Sequence, residues 1–320
     1  MADYKGIKGF KVQYLSADPS NPIIGQTWYN STSKALKYTE FAAAGWATGN
    51  NMNTARGRLG SAGTVNAALA FAGTTGSDSN ATEQYNGSTW TSVTNMPVSI
   101  REVGYSGTET AALSIGGFNG GIVGNTYQYD GSTWTTGGSL GTTRRDSSAA
   151  GTQTASYATT GGSLNNTEHY NGTSWTTATV YPTAGEYLMS TGTLTAGLTF
   201  GGSTPGGNTN ITNEYNGSSW TAGGNLPTPA NGLGGSGTQT ATLAYGGNDP
   251  STTAAASLYD GTSWASVPTS LTTARRHLGS TTTSSTAALA FGGLIAPGAA
   301  IGSTEIYTDA GPATKTITVS

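Results

Sequence analysis

Tyr85-Asn86-Gly87-Ser88-Thr89-Trp90 returns four times further along the chain, at 129–134, 170–175, 215–220 and 259–264. Each copy reads Tyr, Asn or Asp, Gly, two hydroxyl residues, Trp. Trp46 extends the series backwards, and the Trp-to-Trp steps from it are 44, 44, 41, 45 and 44 residues. Five ordered matches to a six-residue pattern at one period identify a tandem array.

Two further series run in phase with the first. Apolar runs end in small residues at 71–73, 115–117, 160–162, 200–202, 245–247 and 291–293, where Gly-Gly is the usual ending. Gly-Thr closes another run at 63–64, 107–108, 151–152, 192–193 and 237–238, with Thr282-Thr283 in the last unit. Each unit therefore reads as four short strands separated by turns, in one unit at about 102–107, 110–115, 125–129 and 133–136. No segment keeps a 3.6-residue period, so helix is not expected.

The residue types assign roles. Asn-Gly and Asp-Gly suit type I′ turns that fold the third strand onto the fourth. Burying one Trp removes roughly 150–250 Å² of surface, worth about 4–6 kcal/mol as an upper bound. Trp46, Trp90, Trp134, Trp175, Trp220 and Trp264 are thus the expected wedges between neighbouring sheets. First strands rich in Gly, Ala, Ser and Thr suit crowding around a central axis.

Four-stranded units of this length are propeller blades. The expected units are 51–94, 95–138, 139–179, 180–224, 225–268 and 269–320. Residues 1–50 read as a diverged blade, with strands at 10–15, 23–29, 35–41 and 45–48. The expectation is an all-β propeller of seven blades, with six blades plus an N-terminal docking element as the alternative. The last unit lacks the Tyr-Asn-Gly…Trp string, and 314–319 is the strand expected to finish it.

Composition narrows the function. Among 320 residues only 9% are charged and the net charge is −3. No basic cluster is long enough to neutralise a nucleic-acid backbone, so nucleic-acid binding is not expected. No run of about 18 apolar residues suggests a membrane-spanning helix, and 1–5 lead into no apolar core of signal-peptide length. A chain made in a cytoplasm and released within a particle is expected. Cysteine is absent, which removes disulfides, thiolate metal sites and thiol nucleophiles.

The repeat resembles kelch-type propeller repeats: a strand, a strand ending in Gly-Gly, Glu-x-Tyr, a turn, then Trp. It departs from them in carrying Tyr-Asn-Gly where Tyr-Asp-Pro is common. That resemblance covers about 46–310 and implies fold alone, since such propellers host many functions. Ile24-Gly25-Gln26-Thr27-Trp28-Tyr29-Asn30-Ser31-Thr32-Ser33-Lys34-Ala35-Leu36-Lys37-Tyr38 resembles a hairpin module of tail-fibre and other virion proteins of tailed phages, and 314–320 resembles endings of repetitive phage structural proteins. The resemblance implies a virion location, other virion proteins as partners, contact with a host-surface glycan or protein, and self-association through virion symmetry.

Catalytic residue types are sparse. His169 and His277 are the only histidines. His169 reads as a solvent-facing strand residue and His277 as a loop contact. Gly232-x-Gly234-x-x-Gly237 matches a dinucleotide fingerprint but runs into a strand rather than a helix. Copper chemistry of the galactose-oxidase kind needs a cysteine, and the Asp boxes of sialidases do not match Asp130-Gly131 or Asp260-Gly261. No cofactor or metal site is expected.

Eleven residues after successive Trp positions stand Arg101, Arg145, Glu186, Asn231 and Arg275, with Arg56, Arg58, Arg144 and Arg276 nearby. A propeller gathers these connections on one face around its axis. Arg101, Arg145, Arg275, Arg276 and His277 are the candidate ligand contacts, suited to a sugar acid or another anion. The competing role is pairing of each Arg with Glu83, Glu168 or Glu305 on an adjacent strand. Variable loops at 74–80, 118–124, 203–210, 248–253 and 294–302 are the expected recognition surfaces.

The sequence thus favours a non-enzymatic virion protein, a tail fibre or a head or tail decoration, displaying a propeller to a host surface. The alternatives are a phage glycosidase or depolymerase of sialidase-like type and a cellular kelch-like adaptor.

Overall fold

The computed structural model describes residues 12–281 and 283–317, and among them there is no helix. The chain forms two compact units. One comprises Trp46–Thr308, the other Met1–Gly45 with Asp309–Ser320.

The larger unit is a propeller of six four-stranded antiparallel sheets. The first blade runs Gly60–Thr64, Ala67–Phe71, Thr82–Tyr85 and Trp90–Val93 from the innermost strand outward. Later blades begin at Gly104–Thr108, Ser148–Thr152, Met189–Thr193, Gly234–Thr238 and Gly279–Ser280. These innermost strands pack side by side in chain order, and the sixth returns to the first. Ser61 Oγ fastens that junction, donating to the Ser280 carbonyl at 2.9 Å and accepting from the Ser280 N–H at 3.1 Å.

Among the described residues there are seven four-stranded sheets, but the seventh lies in the smaller unit. The all-β propeller expectation stands, and six blades plus an N-terminal element is the count that describes it. Two strand assignments change with that count. Gly45–Gly49, expected to finish an N-terminal blade, is the outermost strand of the sixth blade. Gly311–Thr316, which holds the first half of the strand expected to close that blade, pairs instead with Ala35–Ala42. The exchange has a physical reason. Gly45–Gly49 supplies Trp46, which lies 5.3 Å from Tyr307 in its own blade and 4.9 Å from Tyr245 in the fifth. The C-terminal strand carries no aromatic wedge. Residues 318–320 lie outside the described residues.

Each of the six wedge Trp residues does pack between blades. Trp90 meets Phe291, Trp134 meets Phe71 and Trp264 meets Phe200, all at 4.8–5.0 Å and always at the end of the preceding blade's second strand. Trp90, Trp134, Trp175 and Trp264 also donate Nε1 to Thr304, Thr82, Thr126 and Thr212 of the preceding blade. Polar rungs join the same neighbours: Gln128 donates to Tyr170 at 3.0 Å, and Tyr259 donates to Glu214 at 2.7 Å. His169 is one of these rungs, 2.7 Å from the Tyr215 hydroxyl. It is therefore a half-buried blade contact, not the solvent-facing residue expected.

The Tyr-Asn-Gly turn differs from the expected type I′ form, because only its glycine has positive φ. The Asn86 side chain instead accepts the N–H groups of Ser88 and Thr89 at 3.0 and 2.8 Å. Asp130 does the same for Ser132 and Thr133, and these bonds hold its carboxyl far below the usual range.

A buried motif recurs in three of the six blades. In the first, third and sixth blades Arg56, Arg144 and Arg275 are fully buried and ion-paired with Glu83, Glu168 and Glu305. Each Glu also accepts a loop N–H, from Asn53 at 2.7 Å, Gly141 at 2.7 Å or Thr272 at 2.6 Å. At the donor position the other three blades have Pro97, Pro182 and Pro227, which lack that N–H. There the Arg and Glu positions become Ile100 and Tyr127, Gly185 and Asn213, and Ala230 and Ser257. The three positions change together because a buried carboxylate without donors costs several kcal/mol.

In the smaller unit, Thr27–Asn30 and Ala35–Ala42 form a hairpin with Thr27 opposite Tyr38. Asp18 gathers three of its residues, accepting from Trp28 Nε1 at 3.0 Å, Asn30 Nδ2 at 2.7 Å and Lys37 Nζ at 2.7 Å. These bonds, Lys37 first, draw the Asp18 carboxyl down to about 2.

Candidate functional site

One residue in each connection between blades adopts the left-handed backbone conformation: Arg58, Glu102, Asp146, Tyr187, Gly232 and His277, with φ between 50° and 61°. Their backbones form a closed belt. Glu102 N donates to Arg58 O, Asp146 N to Glu102 O, Tyr187 N to Asp146 O, Gly232 N to Tyr187 O, His277 N to Gly232 O and Arg58 N to His277 O, at 2.8–3.2 Å. A left-handed non-glycine residue costs roughly 1–2 kcal/mol, and such strain concentrates where function needs it. Here five side chains are aimed at the mouth of one axial pocket.

All six belt residues line that pocket, which holds about 70 Å³. A layer of Leu59, Val103, Leu188, Leu233 and Leu278 lies against them. Tyr187 and His277 meet edge to face at 4.9 Å. A Cβ at Gly232 would come within 2.9 Å of the His277 ring, so this belt position has no side chain.

The charges are concentrated on one side. Glu102, buried to within 3% of full enclosure, pairs with Arg58 and with Arg101 Nε at 3.3 Å, and faces Arg145 at 3.6 Å. Asp146 is also buried, 3.8 Å from Arg145 Nε. Burial, reinforced by the Glu102 charge, raises the Asp146 carboxyl well above its ordinary range. Burial and the neighbouring Asp146 and Glu186 carboxyls push the Tyr187 hydroxyl up to about 12. Burial and the Arg58 and Arg276 charges hold His277 down to about 3, so its ring is neutral. Glu102 Oε2, Asp146 Oδ2 and Arg145 Nε have no hydrogen-bond partner among the described residues. Buried polar groups are rarely left so, and these three bring both acceptor and donor capacity to one site.

The expected ligand contacts divide. Arg101 and Arg145 belong to the cluster, with the Phe118 ring 4.5 and 5.8 Å from their guanidinium carbons. His277 is part of the belt, and Arg276 beside it donates to Asn248 at 3.2 Å. Arg275 is a correction. It is fully buried, donating to the Ser303 carbonyl at 2.7 Å and paired with Glu305. The connection after Trp264 is one residue longer than the others, so Arg276 holds the place of Arg101 and Arg145. Sequence reading passed over Glu102, Asp146 and Tyr187. Their signal was the twelfth residue after each Trp, one beyond the position weighed, and the belt that unites them is made by backbone.

The variable loops stand beside the belt. Bridges join Gly57 to Thr74, Arg101 to Phe118, Glu186 to Ser203, Asn231 to Asn248 and Arg276 to Leu294, tying the residue before five of the six belt positions to its blade's insertion. Gly232 begins the glycine string noted above, which continues into the strand Gly234–Thr238.

No family model matches the chain, and no curated protein does. Among solved structures, YjhT superposes with a TM-score of 0.68 at 11% identity, covering 82% of this chain and 99% of its own. The likeness is one of fold, and it establishes the β-propeller. The expectation of a protein without enzymatic activity does not stand. That expectation leaned on missing catalytic residue types. The axial mouth of this chain carries two buried carboxyls, a tyrosine and Arg58, with Arg101 and Arg145 beside Glu102.

Proposed function

We propose that the chain is a glycosidase of sialidase-like type, the alternative kept from the sequence. One observation carries this reading: Glu102 and Asp146 face the same arginine in environments that set them apart. Glycoside hydrolysis uses a protonated carboxyl to deliver a proton to the leaving oxygen and a carboxylate to support the positive anomeric carbon or to activate water. The site that raises Asp146 suits it as the acid. Glu102, surrounded by Arg58, Arg101 and Arg145, suits the carboxylate role. The axial pocket has room for water and a ring substituent, so the sugar ring lies over its mouth, among the insertion loops. Release of reducing ends from acidic and neutral polysaccharides, compared between the native chain and Glu102→Gln, tests this. A loss of about a hundredfold or more supports the reading. Failure of the native chain on every substrate, or full activity in the variant, rejects it.

The smaller unit favours placing this enzyme on a phage particle. The hairpin resembling virion modules folds around Asp18 in that unit. Five of the seven large apolar side chains exposed among the described residues, Val12, Tyr14, Ile23, Ile24 and Ile317, belong to it as well. Exposed apolar groups gathered this way suit attachment to another protein. Mass spectrometry of purified particles, with and without residues 1–45, tests the location.

A further inference from the structure

We propose that the fifth blade carries a binding site for a primary carboxamide group, in the space where other blades bury an arginine. The assignment is independent of the glycosidase reading. In the sixth blade Arg275 fills that space. Its Nε donates to Thr273 O at 3.3 Å, and one terminal nitrogen donates to Gly292 O at 3.2 Å and Ser303 O at 2.7 Å. Arg144 repeats the arrangement in the third blade with Thr142 O, Thr160 O and Asn166 O at 3.3, 3.4 and 2.7 Å. By place in the repeat, the fifth blade's acceptors are Thr228, Gly246 and Ala255, with Ala230 where the arginine stands and Ser257 where the glutamate stands. All five residues line one cavity of about 30 Å³.

The cavity exists because nothing replaces the lost side chains. In the second blade Ile100 and Tyr127 are buried at these positions, and in the fourth Tyr181 is buried and accepts from Asn213 Nδ2 at 2.8 Å. Ala230 and Ser257 are too short to fill the same space. The acceptors themselves are kept. Ala255 O takes the Gly246 N–H at 3.0 Å, as Ser303 O takes that of Gly292 at 3.1 Å, and Ser303 O accepts Arg275 as well. A carbonyl oxygen has two lone pairs, so Ala255 O has the same second position for a donor.

Charge and size select the ligand. Ser257 brings no counter-charge, and a buried cation without one is strongly disfavoured, so a second guanidinium does not suit the site. A neutral, planar NH₂ group keeps two donors for the Gly246 and Ala255 carbonyls, and the oxygen beside it accepts from the Ser257 hydroxyl. The cavity has room for about two waters. That matches the nitrogen and oxygen of one carboxamide and is too small for a sugar ring or a nucleobase. Thr228 and Ala255 are exposed to solvent, so the group enters from the surface with its alkyl stem trailing outward, as on an asparagine or glutamine side chain or a small free amide.

Amide NMR spectra of the full chain, titrated with propionamide, propionate and methylguanidinium, test the assignment. Propionamide is expected to shift the Thr228, Gly246 and Ala255 signals saturably in the millimolar range, and the two ions are not. Ala230→Leu, which fills the cavity with an apolar group, should weaken propionamide binding about tenfold or more. The triple change Pro227→Thr, Ala230→Arg and Ser257→Glu copies Thr272, Arg275 and Glu305 of the sixth blade and should abolish it, so the result does not depend on one variant folding. An acetylated peptide with a central glutamine separates the sources. Affinity about tenfold above that of propionamide names a partner's side chain, and the reverse order names a free amide. No saturable shift with propionamide at about 100 mM, equal binding of methylguanidinium, or unchanged affinity in the filled variants overturns the proposal and leaves the cavity to water.

Discussion

Trp90 donates its indole N–H to Thr304 at 3.0 Å, joining the first blade to the sixth across most of the chain's length. The same bond recurs at three other blade junctions. At Trp46 it is missing: its Nε1 is buried without an acceptor, and Ala256 occupies the place that Thr304, Thr82, Thr126 and Thr212 hold elsewhere. Ala256→Thr supplies the acceptor. A net gain of about 1 kcal/mol is expected, raising the melting temperature by roughly 2–4 °C. A calorimetric scan showing no gain would mean that the added methyl and hydroxyl are too crowded between these sheets.

The co-varying Arg, Glu and Pro positions make a second prediction. Glu168→Ala leaves Arg144 buried and unpaired and strips an acceptor from the Gly141 N–H. A loss of about 3–5 kcal/mol is expected. The triple change Gly141→Pro, Arg144→Ile and Glu168→Tyr copies the second blade's Pro97, Ile100 and Tyr127 and should recover most of it. Urea denaturation of both variants measures the difference. Equal instability of the two would show that the blades are not interchangeable at these positions.

These two relationships mark how far the sequence could be read. The wedge role of Trp was legible because a large side chain at a fixed period leaves few packing solutions, and the propeller followed from it. Closure was harder. The strand at Gly45–Gly49 and the one at Gly311–Thr316 are both short and both follow blade-like segments, and only the partners of Trp46 decide between them. Arg145 and Arg101 were visible as polar residues in connections. The belt was not, because Arg58, Glu102, Asp146, Tyr187, Gly232 and His277 share a backbone conformation and no side-chain type. A register error of one residue then sufficed to nominate buried Arg275 and to pass over Asp146.

Gly232 tests the belt. Gly232→Ala adds a methyl group 2.9 Å from the His277 ring at a position with φ of 61°. A loss of about 1–2 kcal/mol is expected, together with displacement of the ring. His277→Ala in the same chain removes the clash and should return part of that stability, leaving the backbone cost of the alanine. If the single variant is as stable as the native chain, steric exclusion is not what keeps a glycine there.

Asp146 ties stability to pH with a definite sign. Its folded pKa lies well above that of the unfolded chain, so the folded state holds a proton that the unfolded state releases. The stability this contributes is full below about pH 4 and is lost as pH rises through the raised folded value. Asp146→Asn keeps the neutral shape and has no proton to lose. The variant should therefore be more stable than the native chain at alkaline pH, with the advantage shrinking towards pH 4. The same substitution removes the proposed acid, so hydrolysis should fall most for substrates with poor leaving groups, which depend most on protonation. Parallel denaturation curves at pH 4 and pH 9, with no change in their difference on substitution, would remove the case for a protonated Asp146 and with it the proposed division of labour with Glu102.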